Sequence, residues 1–464
     1  MAAALQVVRA FDRKPMTEIP EDDAALLEVK LQAAADAFRN RHKSHKGRAP
    51  HERAALLYHV AQRLEERRQH FTLLIAQEGG KPVSDAAVEV TRAIDGLRNA
   101  AEALRDFAGR EVPMGLSRAS EGRWAFTTQE PIGIVAAISA FNHPLNLIVH
   151  QIAPAIAVGC PVIVKPAPAT PLCCLDLVGL LHDAGLEEDW CQTLVTSDNA
   201  LAERLATDPR VAFLSFIGSA HVGWHLRSRL AAGTRCALEH GGAAPVIIDR
   251  SARLDEVIEP IVKGGYYHAG QVCVSVQRIY VHKSLRPAFD ERLAARVQAL
   301  HVGDPVRPET EVGPMIHPRE TQRVSAWIQE ALSGGARIIG GGRLSDTTLL
   351  PSILLDPPLT ARVSQLEVFG PVVCVYSFED LDQAIEAANA LPTAFQASIF
   401  SQEIAPALHA ARCLDASAVL INDHTAFRTD WMPFAGRRES GYGTGGIPYS
   451  MSDMSQEKMV VFRH

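Results

Sequence analysis

The sequence predicts an α/β protein made of two doubly wound α/β domains with a small additional β element. Three observations lead there. The chain has 464 residues and is 47% hydrophobic, more than one core usually holds. From Gly133 onward short apolar runs alternate with helical stretches, the pattern of a parallel sheet covered on both faces. The alternation then starts afresh after Glu239, so there are two such sheets.

Taken in order, residues 22–108 are helical in pattern, rich in Ala, Leu, Glu and Arg and punctuated by Pro50 and by Gly79 to Pro82. Arg123 to Thr128 alternates like a strand. Gly133 to Ser139, Pro161 to Lys165, Thr193 to Thr196 and Ala212 to Ile217 read as short buried strands of the first sheet. Val246 to Ile248, Arg278 to His282, Ala336 to Ile339 and Val372 to Phe378 read as strands of the second. Leu285 to Leu300, Pro318 to Ser333 and Leu381 to Leu391 are its helices. Lys458 to Arg463 is strand-like and has no partner nearby in sequence. Doubly wound sheets bind nucleotides at the carboxyl ends of their strands.

Charge excludes some partners. Lys and Arg total 46 against 53 Asp and Glu, a net of -7, with no basic face for nucleic acid or an anionic membrane. The densest basic stretch, Arg39 to Arg48, reads as a solvated helix end. The apolar start, Met1 to Phe11, lacks the basic region of a secretory leader. Leu145 to Val164 carries His150, Gln151, Pro154, Gly159 and Pro161, so it reads as buried helix, turn and strand, not a membrane span. The eight cysteines form no CxxC pair and suggest neither zinc nor a redox dithiol. No metal is expected, and a reducing cytoplasm is the simplest location.

Two segments carry chemistry. Cys273 closes Gly265-Tyr-Tyr-His-Ala-Gly-Gln-Val-Cys273, and Glu239 lies 34 residues upstream (273 − 239) in Leu238-Glu-His-Gly-Gly242. A lone buried cysteine is usually a small hydrophobe. An acid before paired glycines marks a strand end turning sharply, where a carboxylate can face a cavity.

Several ordered blocks, from about residue 20 to the C-terminus, resemble the aldehyde dehydrogenase superfamily. They are Pro131-Ile-Gly-Ile-Val with Phe141-Asn-His-Pro144, Val164-Lys-Pro-Ala167, Phe216-Ile-Gly-Ser-Ala-His-Val-Gly223, and the Glu239 and Cys273 segments. Glu367-Val-Phe-Gly-Pro371 and Pro433-Phe-Ala-Gly436 with Ser440-Gly441 complete the set. The resemblance implies a Rossmann-like cofactor domain over 1–108 and 130–238, a catalytic domain over 239–442, and an oligomerisation element over 109–129 and 443–464. It implies Cys273 as nucleophile, the Asn142 amide with the Cys273 N–H as oxyanion donors, and Glu239 as the base that activates water. It implies NAD or NADP as cofactor, held by Ile138, Ser139, Lys165, Ala167, Pro168, Gly218, Ser219, His240, Gly241, Glu367 and Phe369. A homodimer or homotetramer and a small-molecule aldehyde follow as partners.

Departures from the family pattern bear on specificity. Pro168 stands where many members carry a Glu that binds the adenine ribose, which removes repulsion against a 2′-phosphate. His240 stands where Leu is common, and Val272 where phosphate-binding branches place Arg. Arg98 and His143 match positions in branches acting on phosphorylated or phosphonylated aldehydes. Arg428 is a further candidate, weighed against a solvated pair with Asp430. Together they suggest a small polar or anionic aldehyde. Three alternatives stay open: a CoA-acylating semialdehyde dehydrogenase, which usually lacks the Glu239 equivalent; a cofactor-free cysteine hydrolase, which would want a base such as His268; and a non-catalytic binding protein.

Overall fold

Both alternating stretches close into sheets. The computed structural model describes residues 4–42 and 49–463. In the first sheet the strands lie in the order Gly441–Tyr442, Arg235–Glu239, Val211–Ile217, Ile134–Ile138, Val162–Lys165 and Cys191–Thr193. The last five run parallel, and Gly441–Tyr442 is antiparallel on the edge. The central strand shows why its sequence is apolar throughout. Val135 and Ala137 pack toward helices Pro50–Glu66, Val83–Ala103 and Asn146–Val158, while Ile134, Ala136 and Ile138 pack toward helices Ala24–Arg39 and Asn199–Thr207.

The second sheet has seven strands, in the order Arg337–Gly340, Ser352–Leu355, Val372–Phe378, Val276–His282, Ala244–Ile248, Gln396–Phe400 and Ala418–Ile421. Only Arg337–Gly340 is antiparallel among its described pairings. A third, three-stranded sheet pairs Ser455–Arg463 with Arg123–Pro131, and Glu111–Val112 with the other side of Arg123–Pro131. The C-terminal strand therefore finds its partner over 300 residues away in sequence, at Lys458↔Thr128 and Arg463↔Arg123.

Some expectations shift. The third strand of the first sheet is Cys191–Thr193, earlier than Thr193 to Thr196. The Leu194 N–H still reaches Val164 O (2.8 Å), but the Val195 N–H is taken by the Asp22 carboxylate (2.8 Å), which ends the ladder. A hairpin of Ala4–Val8 and Pro15–Pro20 precedes the helices. Leu145 to Val164 is a buried helix, a turn at Gly159 (φ 91°) and a strand. Of the basic stretch, residues 43–48 lie outside the described ones, as do residues 1–3 of the N-terminal stretch; Arg39 pairs with Asp36 on the surface.

Helix Val83–Ala103 carries Asp85, Glu89 and Arg92 at i, i+4 and i+7, one stripe on which Asp85 and Glu89 are buried and Arg92 is mostly so. Asp85 pairs with Lys263, Glu89 with the fully buried Lys81, and Arg92 with Asp430 at 2.7 Å. The second oxygen of Glu89 accepts the N–H groups of Leu145 (3.0 Å) and Asn146 (3.1 Å), at the start of helix Asn146–Val158. A carboxylate satisfies exposed donors there and opposes the positive end of the helix dipole. Glu78 does the same for Leu172 and Cys173 at the next crossover helix.

Replacing Lys81 by Met keeps most of the stem but leaves the Glu89 charge without its cation. We expect a loss of about 3–5 kcal/mol, the usual result of breaking one side of a buried pair, seen as a lower urea midpoint. Superimposable melts would show that the pair carries no such weight.

Candidate active site

A cavity of about 650 Å³ opens where the strands of the first sheet end and the second sheet begins. Ile134–Ile138 and Val211–Ile217 are neighbours whose crossovers lead to opposite edges of the sheet. The chain separates there, and the following residues, Ser139 and Gly218, line the opening.

Cys273 reaches the cavity from a sharply bent segment. His268, Ala269 and Gly270 all have positive φ (48°, 54° and 70°). A side chain at Gly270 would put a Cβ 2.1 Å from Gly370 O. Gln271 pins the bend by accepting the Ile316 N–H (2.9 Å) and donating to the carbonyls of His268 and Pro314 (each 3.2 Å). Asn142, after strand Ile134–Ile138, donates through Nδ2 to Gln271 O (3.0 Å). Its amide thus lies against the Cys273 turn with one N–H still free, since an amide nitrogen carries two.

Glu239 ends strand Arg235–Glu239, and its carboxylate lies over glycine: a Cβ at Gly445 would come within 2.1 Å of Oε1. Its Oε2 is 4.0 Å from Arg428 Nη1. Burial raises the Glu239 pKa and Arg428 opposes the shift. Burial also pushes the Cys273 thiol up to about 12, with Glu367 adding to the rise and Arg428 opposing it. Glu367 is held at about 8 by burial, against Arg323 and the Gly242 N–H. Its carboxylate overlies Gly241, where a Cβ would meet Oε1 at 1.6 Å.

Most expected site residues converge here. Ile138, Ser139, His143, Lys165, Ala167, Gly218, Ser219, His240, Gly241, Phe369 and Arg428 all line the same cavity as Cys273, Glu239 and Asn142. Helix Ala220–Ser228 begins at it, with Ser219 as N-cap. His240 packs against Gly223, where a Cβ would sit 2.0 Å from its ring, and shares a 2.9 Å hydrogen bond with Gly218 O through Nδ1. Pro168 is the exception on this wall: it is half-buried in the turn beyond Ala167 and does not line the cavity.

Arg98 is a correction. It lies on the outer face of its helix, half-exposed, 3.5 Å from Asp95 Oδ1. The buried Leu97 is its neighbour, about 100° around the helix. Arg92 lines the cavity instead, at about 120° from Arg98. His143 does face the cavity, but not as a cation. Burial first, and then nearby Lys81 and Arg92, keep it neutral, and its Nε2 shares a 3.1 Å hydrogen bond with the Tyr267 hydroxyl. Arg428 is not a solvated partner of Asp430. It is buried, with its guanidinium 3.6 Å from the Phe434 ring centroid. His268, the candidate hydrolase base, is buried and does not line the cavity that Cys273 faces. Arg92, Tyr267, His150 and Asp430 were missed; only the helical spacing of Arg92 from Glu89 hinted at an inward stripe.

The profile of the aldehyde dehydrogenase family matches residues 2–460. The chain belongs to the aldehyde dehydrogenase family. Its activity is therefore NAD(P)-dependent oxidation of an aldehyde to an acid. The 3-sulfolactaldehyde dehydrogenase of Priestia aryabhattai is 35% identical over 461 residues, covering 99% of this chain and 95% of that protein. Aldehyde dehydrogenase 21 from Physcomitrella patens, in complex with the reaction product succinate, shares the fold at a TM-score of 0.95 and 32% identity, covering 100% of this chain and 95% of that one. GapN, a glyceraldehyde-3-phosphate dehydrogenase from Methanocaldococcus jannaschii complexed with NADP, gives 0.94 at 29% identity, with both chains covered at 100%.

The cavity fits a dinucleotide. Ser139 Oγ, His240 Nε2 and Glu367 Oε1 are buried without a hydrogen-bond partner among the described residues. Lys165 is buried and donates to Pro166 O at 3.3 Å, with its pKa drawn down to about 8 by burial. Such groups call for an acceptor or donor brought by a ligand. Among the described residues, no helix is long and apolar enough to cross a membrane and no cluster of His, Cys, Asp and Glu could hold a metal.

With its thiol pKa near 12, Cys273 is almost wholly protonated at neutral pH. Its alkylation by iodoacetamide should accelerate about tenfold per pH unit between pH 7 and 9, because the thiolate is the reactive form. Arg428→Leu removes a cation that lowers this pKa, so labelling at a fixed pH should slow. Peptide mapping separates Cys273 from the exposed Cys413. A rate flat from pH 7 to 9 would show a thiolate already formed.

Proposed function

We propose that this enzyme oxidises a small aldehyde bearing one anionic group and releases the acid by hydrolysis. The observation that carries the reading is the meeting of Cys273, Asn142, Glu239 and Arg428 in one cavity. The Cys273 thiol gives up its proton to Glu239, which passes it to solvent, and the resulting thiolate adds to the aldehyde carbon and forms a thiohemiacetal. The free Asn142 N–H and the Cys273 backbone N–H stabilise the oxyanion. NAD(P), when bound, supplies the hydride acceptor; Lys165, Ser139, Glu367 and the start of helix Ala220–Ser228 would hold it. Loss of hydride from the thiohemiacetal leaves a thioester on Cys273. Glu239, with its raised pKa, takes a proton from water, which then attacks the thioester and frees the acid and the thiol.

Glu239 favours hydrolysis over transfer to CoA. The anionic substrate is supported by Arg428 and by the names of relatives, dehydrogenases of 3-sulfolactaldehyde, lactaldehyde and sulfoacetaldehyde. Arg92 is neutralised by Asp430, and His143 is neutral. The Arg428 guanidinium faces the Glu239 carboxylate only at 4.0 Å, and burial raises the pKa of that carboxyl, so a single cation is offered, which suits a monoanion better than a phosphate dianion. Cytoplasmic residence belongs to the same reading and is supported by eight free cysteines.

The test is a panel of anionic and neutral aldehydes with NAD and NADP, followed by absorbance of the reduced cofactor, with and without CoA. Glu239→Gln should give a burst of reduced cofactor and then slow turnover, because deacylation alone loses its base. Equal slowing of both phases, or acceleration of turnover by CoA in the unaltered enzyme, would overturn the hydrolytic reading.

The third sheet supports a homodimer or homotetramer. Strand Ser455–Arg463 pairs on one side only, and Trp124, Met459, Val461 and Phe462 are each about half exposed on this sheet. Light scattering should give a dimer or tetramer mass at micromolar concentration. A monodisperse monomer would contradict it.

A further inference from the structure

Arg428 is held from behind by His150, which does not itself line the cavity. Its Nη2 donates to His150 Nδ1 at 3.3 Å. The other ring nitrogen, Nε2, lies 2.7 Å from Asp430 Oδ1. Asp430 also receives Arg92, through Nη2 at 2.7 Å and Nε at 3.2 Å, and Asn146 Nδ2 at 3.1 Å. Asn146 and His150 are one turn apart on helix Asn146–Val158, whose start is bonded by Glu89.

These contacts fix the state of His150. A nitrogen facing a guanidinium must be bare, because the guanidinium has only donors. A nitrogen facing a carboxylate must carry the hydrogen. The ring is therefore neutral, with its hydrogen on Nε2. Burial and the Arg428 charge, opposed by Asp430, hold its pKa down to about 4. The Asp430 carboxyl is kept far below its usual range by the hydrogen bond from His150 and by Arg92, against burial. The ring also stands between two opposite charges. Arg428 cannot pair with Asp430 while the imidazole fills the space, and its Nε remains buried without a hydrogen-bond partner among the described residues.

We propose that His150 is a positioning residue for substrate selection: its neutral ring holds Arg428 toward the cavity, so that the guanidinium stays available to a monoanionic carboxylate or sulfonate on the aldehyde. This rests on the anionic-substrate reading above. Such a contact binds ground state and transition state alike, so its loss appears in KM more than in kcat.

The experiment compares succinic semialdehyde with butanal, an uncharged aldehyde of equal carbon number, in the full-length enzyme. The unaltered enzyme should favour the semialdehyde, and Arg428→Leu should abolish that preference. In His150→Phe the KM for succinic semialdehyde should rise about tenfold relative to that for butanal, the scale of a hydrogen bond to a charged group. His150→Gln, which carries both an acceptor and a donor, should restore most of the preference. If the phenylalanine variant does not fold, His150→Asn, too short to span both partners, serves in its place. An unaltered enzyme indifferent to charge, or Arg428→Leu retaining the preference, would overturn the anionic-substrate reading itself. A preference lost in Arg428→Leu but intact in His150→Phe would overturn the positioning role alone. Equal KM rises for both aldehydes, or failure of His150→Gln to restore the preference, would also overturn it.

Discussion

One buried carboxylate ties the site to its scaffold. Glu89 binds the ammonium of Lys81 with one oxygen and two backbone N–H groups with the other, at the start of helix Asn146–Val158. The loop bearing Asn142 runs directly into that helix, and Asn142 in turn bonds the Cys273 turn. A few hydrogen bonds thus connect the helical layer of the first sheet to the Cys273 turn of the second. The arrangement needs the ion pair, because a lone carboxylate buried at this depth would be costly.

Burial around the cavity acts on each ionisable group in the direction of its neutral form. Cys273, Glu239 and Glu367 rise, while Lys165, His143 and His150 fall. Arg428 is also drawn downward by burial, but a guanidinium begins so high that it keeps its charge. Arg428 is thus a retained cation beside groups that burial draws toward their neutral forms.

Much of this was legible in sequence because it lies in short local patterns. Alternation around Ile134–Ile138 and Val211–Ile217 gave the first sheet, and the glycines after Glu239 marked its turn. Cys273, Glu239 and Asn142, which share one cavity, each lie in an ordered motif. What stayed hidden depended on partners far along the chain. Arg92 and Arg98 look alike in sequence; only Asp430, 338 residues on, decides that Arg92 turns inward. His150 sits in an apolar stretch where one polar residue has no visible purpose until Arg428 and Asp430 close around it. Arg98 misled because a family match fixes a neighbourhood more securely than a helical face, and a shift of one residue moves a side chain by about 100°.

Three of the cavity-lining side chains occupy space that exists because another residue has no side chain. Glu239 lies over Gly445, Glu367 over Gly241, and His240 over Gly223. A Cβ added at Gly445, Gly241 or Gly223 would fall 2.1, 1.6 or 2.0 Å from its partner's side chain. Evolutionary drift at one member is therefore locked to the other: a lineage that places any larger residue at 223 must first give up the imidazole at 240. Across an alignment of relatives, His at the position of 240 should occur only with glycine at the position of 223.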